Sequence, residues 1–144
     1  MAGFTDSVEQ AILDGFLQDP SFAGYATLYL ALSTTTPTEA GGNFTEPSSG
    51  AYARVSTTGA DWGAATGTAP ATKSNTATKT FPTATADWAS GANFTHFGLY
   101  DASSAGTLRA WGALGTAKPV LNGDTASFAA GALVLKLGDP DDTY

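Results

Sequence analysis

Residues 93–114 read NFTHFGLYDASSAGTLRAWGAL, and the fold class turns on this stretch. Phe94, His96, Gly98 and Tyr100 fall on one face of a period-two pattern, with Thr95, Phe97 and Leu99 on the other. After the run DASSAGT at 101–107, Leu108, Ala110, Gly112 and Leu114 oppose Arg109, Trp111 and Ala113. Strand side chains point alternately to two faces, so two such runs joined by a glycine-containing turn predict an antiparallel hairpin.

Outward from the hairpin, most of the chain continues in the same idiom. Ala26, Leu28, Leu30 and Leu32 form the more apolar face of a strand from Tyr25, with Tyr25, Thr27, Tyr29 and Ala31 opposite. Shorter strands are predicted over 52–57, from Lys79 to Phe81 where Pro82 stops the run, over 125–128 after the sharp turn Asn122-Gly123-Asp124, and over 133–137. The one predicted helix spans 6–18. Val8, Ile12 and Phe16 recur every four residues, Leu13 and Leu17 widen the stripe, and Asp19-Pro20 ends it. Asp6 and Glu9 are spaced as a capping box, with Thr5 as the other candidate cap. At this length the helix is marginal in isolation and must bury its stripe against the domain or a neighbour. The segments 33–50 and 59–78 read as extended loops and 138–144 as a short acidic tail. The expected fold is mainly β: one domain over 1–144, an antiparallel β-sandwich or jelly roll carrying a short N-terminal α-helix.

The chain has 144 residues, 42% of them hydrophobic and only 13% charged, with 27 alanines and 22 threonines. Its polarity therefore comes from hydroxyls rather than ions, and a weakly charged surface is easier to desolvate against a partner. A net charge of −7 from 6 basic and 13 acidic residues leaves little cationic surface for phosphates, so direct nucleic-acid binding is not expected. The absence of cysteine removes disulfides, thiolate nucleophiles and cysteine metal sites. Met1 to Thr5 lacks the basic residues and apolar run of a signal peptide, and no stretch approaches 18 apolar residues, so neither conventional secretion nor membrane insertion is expected.

Catalytic and binding chemistries find few candidates. His96 is the single histidine, and without a nucleophile or acidic orienter beside it, it reads as a strand residue completing a hydrogen bond. Asp139, Asp141 and Asp142 cluster but lack the spacing of a calcium loop, and no nucleotide-binding glycine motif occurs. No catalytic set, cofactor or metal is expected. Arg54 and Arg109 lie in strand-like sequence, where a guanidinium can bind a carboxylate or carbonyls while its stem covers apolar surface. The tryptophans and tyrosines suit core packing or an interface, and Trp62, in the loop-like GADWGAATG, needs a surface to bury against.

YATLYLALSTTTPTEAGG from Tyr25, AYARV from Ala51, THFGLYDASSAGTL from Thr95, WGAL from Trp111 and LNGDTASFAAGALVLKL from Leu121 resemble a family of small tailed-bacteriophage virion proteins. Its members are labelled tail fibre proteins or head decoration (cement) proteins. The resemblance implies a scaffold role for Tyr29, Tyr52, Arg54, His96, Asp101, Trp111, Asp124 and Phe128, and no inherited catalytic set. The Ala/Thr-rich stretch 64–80 departs from the family pattern and reads as an assembly arm.

These readings lead to a non-enzymatic head decoration protein on the outer surface of the capsid, made in the host cytoplasm, binding the major capsid protein and itself as a homotrimer. Val8, Ile12, Phe16, Pro37, Phe44 and Trp62 are its candidate assembly contacts. The alternative is a tail-fibre or baseplate accessory protein that binds tail proteins or a host-surface glycan.

Overall fold

The computed structural model describes residues 3–17, 24–67 and 70–137. Its elements, in chain order, are β1 (Gly3–Phe4), α1 (Asp6–Leu17), β2 (Thr27–Ser33), β3 (Val55–Thr58), β4 (Ala71–Ser74), β5 (Lys79–Thr80), β6 (Phe94–Tyr100), β7 (Leu108–Lys118), β8 (Ser127–Phe128) and β9 (Val134–Leu137). The hairpin is β6 and β7, at the middle of a five-stranded sheet ordered β1-β7-β6-β2-β3. Every neighbouring pair in it is antiparallel. The fold is mainly β, as the alternation predicts.

Register places Leu30 opposite Leu99, Leu32 opposite Phe97, and Leu99 opposite Ala110, which gathers the apolar face of β2 with one face of the hairpin. Phe81, Ala84, Trp88, Phe94, Val120 and Leu133 close over that face to form the main core. The covering layer consists of two separate two-stranded ladders, β4–β9 and β5–β8, with the turns around Trp88 and Val120. Each fully buried large side chain here contributes about 1.5–3 kcal/mol through removal from water. The opposite face is also covered: Ala31 is 0% exposed and packs with Tyr100 and Leu108 beneath Tyr29, Phe44 and Trp111.

Three boundaries differ from the pattern-based reading, each for a tertiary reason. The strand expected over 52–57 is β3, Val55–Thr58, because Tyr52 leaves the ladder and sends its ring into the core beside Phe81 and Trp88. Its phenol oxygen accepts the Leu32 N–H at 3.1 Å, taking the place of the next backbone rung. The segment 59–78 is not a continuous loop. It contains a 3-10 turn at Gly59–Asp61 and β4, which pairs with β9; ATKS has no apolar alternation to announce a strand, and its partner lies about 60 residues away. Finally, β7 runs on to Lys118, beyond the expected end at Leu114. The predicted helix end at Gln18, its stop at Asp19-Pro20 and the acidic tail 138–144 lie outside the described residues.

Thr5 sits immediately before α1, and its carbonyl accepts the Val8 and Glu9 amides. Its hydroxyl lies 3.1 Å from the Leu108 carbonyl, 3.2 Å from that of Arg109 and 3.1 Å from the Ser7 hydroxyl in the first turn, and bonds no helix N–H. Thr5 thus rivets the helix start to β7 rather than capping it with its side chain.

Candidate assembly surface

The six candidate assembly residues separate sharply by exposure. Val8 is buried and Ile12 half-buried, whereas Phe16 is 83% exposed. Leu13, three residues before Phe16 and therefore on a neighbouring part of the helix surface, is 62% exposed. Among its described side chains the stripe is therefore divided: Val8 docks on the domain, while Leu13 and Phe16 project. Pro37, Phe44 and Trp62 find their surfaces inside their own domain. Pro37 is buried. Phe44 lies over Gly98, where a Cβ would come within 2.5 Å of its ring, so the absence of a side chain in β6 is what admits it. Trp62 packs against the main core and donates its indole N–H to Thr57 Oγ1 at 2.7 Å; the surface it required is supplied by β3.

The scaffold residues hold the long 33–50 segment and the hairpin turn in place. Glu46, which the sequence did not single out, takes bonds from two of them: the Tyr52 hydroxyl donates to it at 2.7 Å, and Arg54 Nε donates at 3.0 Å within a bidentate pair. Arg54 also donates to the carbonyls of Ala102 and Ala105 in the hairpin turn, at 2.8 and 2.7 Å, and its guanidinium lies 3.6 Å from the Tyr100 ring centroid. This uses the planar fork and the cation–π face together, which lysine cannot do. Burial, reinforced by the Glu46 carboxylate, pushes the Tyr52 phenol far above its ordinary range. Tyr29 faces Tyr100 in register. Asp124 closes the 121–124 turn by accepting the Leu121 N–H, and Phe128 packs between Phe81 and Phe97.

Asp101 opens the hairpin turn. It accepts the Thr107 N–H at 2.7 Å and the Arg109 guanidinium at 2.7 Å. A register shift between Leu99 and Tyr100 leaves Arg109 as the extra residue of β7, freeing its side chain to reach back. Burial acts to raise the Asp101 pKa, but the Thr107 amide and Arg109 outweigh it and hold the carboxyl below 3.8. A carboxyl depressed in the folded state contributes stability that is present above its unfolded pKa and lost as pH falls through the folded one. Acid titration followed by circular dichroism should therefore show wild type losing stability below the ordinary aspartate range, and Asp101→Asn should flatten that part of the profile.

His96 is partly buried; its Nδ1 lies 2.8 Å from Thr95 Oγ1 and its ring stands edge-on to Trp111 with centroids 5.7 Å apart. Burial lowers its pKa from 6.5. Beside it, Trp111 Nε1 is buried without a hydrogen-bond partner. An orphaned donor of this kind costs about 1–3 kcal/mol, so Trp111→Phe should change stability by less than about 1 kcal/mol despite the lost ring volume, read as the midpoint of urea unfolding.

A groove of 640 Å³ opens at the far end of β7. Between Ala113 and Lys118, five steps along β7 are matched by only two along β6, so β7 bows away from its partner. Leu32, Phe97, Leu114, Val120 and Phe128 line the gap, with Lys118 and Asp124 also bordering it. Together with the Leu13/Phe16 end of α1 it gives the molecule two apolar features suited to contact with another protein. Among the described residues no three His, Cys, Asp or Glu side chains gather as metal ligands.

A family model described as Podophage GP4 fiber I protein gp80 matches residues 3–136. The chain belongs to this family. Membership of a small phage virion protein family is what the segments from Tyr25 to Leu137 led one to expect, and it identifies the molecule as a virion component. No curated protein matches the chain. The match begins at β1 and ends within β9, so the fiber family covers every element described above, including the divided helix and the bowed end of β7.

Proposed function

We propose that this member of the fiber family is a non-enzymatic structural protein of the phage tail, an accessory of the fibre or baseplate that works by joining other virion proteins. The family's description as a fiber protein carries the reading, and it favours the tail over the head decoration role expected first from the sequence. The geometry agrees with a joining role. Among the described side chains of α1, Leu13 and Phe16 are the strongly exposed large apolar ones and lie towards its C-terminal end, while the remaining aromatic candidates are consumed within the domain.

The non-enzymatic part of the proposal is supported by His96, whose hydrogen-bond and ring partners among the described residues are Thr95 and Trp111, neither of them a carboxylate. Gold-labelled antibody against the chain on intact particles tests the placement. Label at the tail is expected, and label distributed over the capsid faces would return the protein to the head. Substituting His96 with alanine should leave infectivity unchanged if the domain acts only as a structural part.

A further inference from the structure

We infer that copies of this chain associate head to tail, the Leu13/Phe16 end of α1 on one copy seating in the β7 groove of the next. The two features share apolar character. Leu13 and Phe16 form a projecting apolar knob at 62% and 83% exposure, and the groove is a 640 Å³ recess walled by Phe97, Leu114, Val120 and Phe128. Their charges are also opposed. α1 carries Asp6, Glu9 and Asp14 with no basic residue, and none in its last turn, so the partial negative charge of its C-terminal end has no cation on the helix to offset it. The groove carries Lys118, which forms no ion pair among the described residues. Its other charged lining residue, Asp124, is directed onto the Leu121 amide within its own turn.

Within one copy the knob does not fill the groove, since Leu13 and Phe16 remain exposed in the chain that carries it. Ser7 at the start of α1 receives a hydrogen bond from Arg109 at the beginning of β7, while the groove lies along its end, from Ala113 to Lys118. The start of the helix and the groove therefore lie towards opposite ends of the 11-residue strand β7. A contact between two different patches is heterologous, and it propagates as a filament or closes as a ring. A knob of two side chains makes a small interface, strengthened when neighbours are held at high local concentration on a particle. The inference stands apart from the placement on the tail, because it concerns the isolated chain.

Sedimentation velocity of the full chain over a concentration series up to about 1 mM tests it. Wild type should show an average mass that grows with concentration. Phe16→Asp, which removes the knob at an exposed site, and the double variant Thr116→Glu/Lys118→Glu, which reverses the groove's charge at two exposed sites, should each weaken association by roughly 10-fold or more. Mixed together, the two variants should form a dimer that grows no further, since each retains the half the other lacks. A monomeric wild type throughout the series would overturn the inference. So would association undiminished in either variant, or a mixture that fails to pair, which would mean the contact is isologous or lies elsewhere.

Discussion

Replacing Trp88 with alanine is expected to cost about 3–5 kcal/mol, a large part of the roughly 5–15 kcal/mol that holds a domain folded. Trp88 is fully buried and stands edge-on to Tyr52, Phe81 and Phe94, with centroids 5.0, 6.1 and 6.3 Å away. It is where the covering layer meets the 50–52 turn. Its indole N–H donates to the Gly50 carbonyl at 2.8 Å. Gly50 has φ +70°, and a Cβ there would come within 2.8 Å of the indole, so the two residues are fitted to each other. Alanine at 88 would open a cavity between rings held by three separate segments of the chain, with little freedom to collapse. Thermal unfolding monitored by circular dichroism should show a fall in midpoint of about 6–30 °C, taking roughly 2–6 °C per kcal/mol at this size. Trp88→Phe should recover most of the loss but not all, because the Gly50 carbonyl would lose one of its two donors and keep only the Thr85 N–H. A Trp88→Ala variant within a few degrees of wild type would remove Trp88 from the centre of the core.

Asn75 should rank next, and its effect should be more local. The side chain is 2% exposed; its amide donates to the carbonyls of Ala77 and Ala129, and its oxygen accepts the Leu133 amide, all at 2.8 Å. Its backbone adds two more bonds, to the Leu133 carbonyl and from the Gly131 amide. Asn75→Leu preserves volume yet strands the buried Leu133 N–H, removes the side-chain donor to the Ala77 carbonyl and leaves the Ala129 carbonyl only the Ala132 N–H; at about 1–3 kcal/mol for an unsatisfied buried group the loss should be about 2 kcal/mol or more. Asn75→Asp keeps the acceptor but turns a carboxylate against two carbonyls, and it should become less harmful as acid protonates it. Hydrogen exchange should show the loss first in β4 and β9, whose 71–74 and 134–137 ladder is secured to the rest of the fold beside Asn75. Protection unchanged in those strands would mean the ladder is held by other contacts.

The sequence marks Trp88 only as one of the tryptophans suited to core packing or an interface, without its place at the centre, and it does not mark Asn75 at all. Trp88 lies in TADWASG, with no alternation around it, and it reaches the core through a turn in which Ala89, Ser90 and Gly91 all have positive φ. Asn75 resembles any loop asparagine, and its partners at 129 and 133 are more than fifty residues distant. Glu46 is legible only once Arg54 and Tyr52 are brought beside it. The hairpin, by contrast, was legible because its two strands are local and each carries a full period-two pattern, and β2 because its four-residue apolar face had to find another.

What the chain's residues determined unaided is the β architecture centred on 25–33 and 94–114, the amphipathic helix at the N-terminus, and the family to which that order of segments belongs; each is written in short-range periodicity or in the sequence of motifs. Tertiary structure alone decided which part of the helix stripe is left exposed, that Trp62, Phe44 and Pro37 are spent inside the domain, and that β7 bows to open a groove. Those outcomes depend on register and on side chains meeting from opposite ends of the chain. A local pattern fixes which face of an element is apolar, but not which neighbour will cover it.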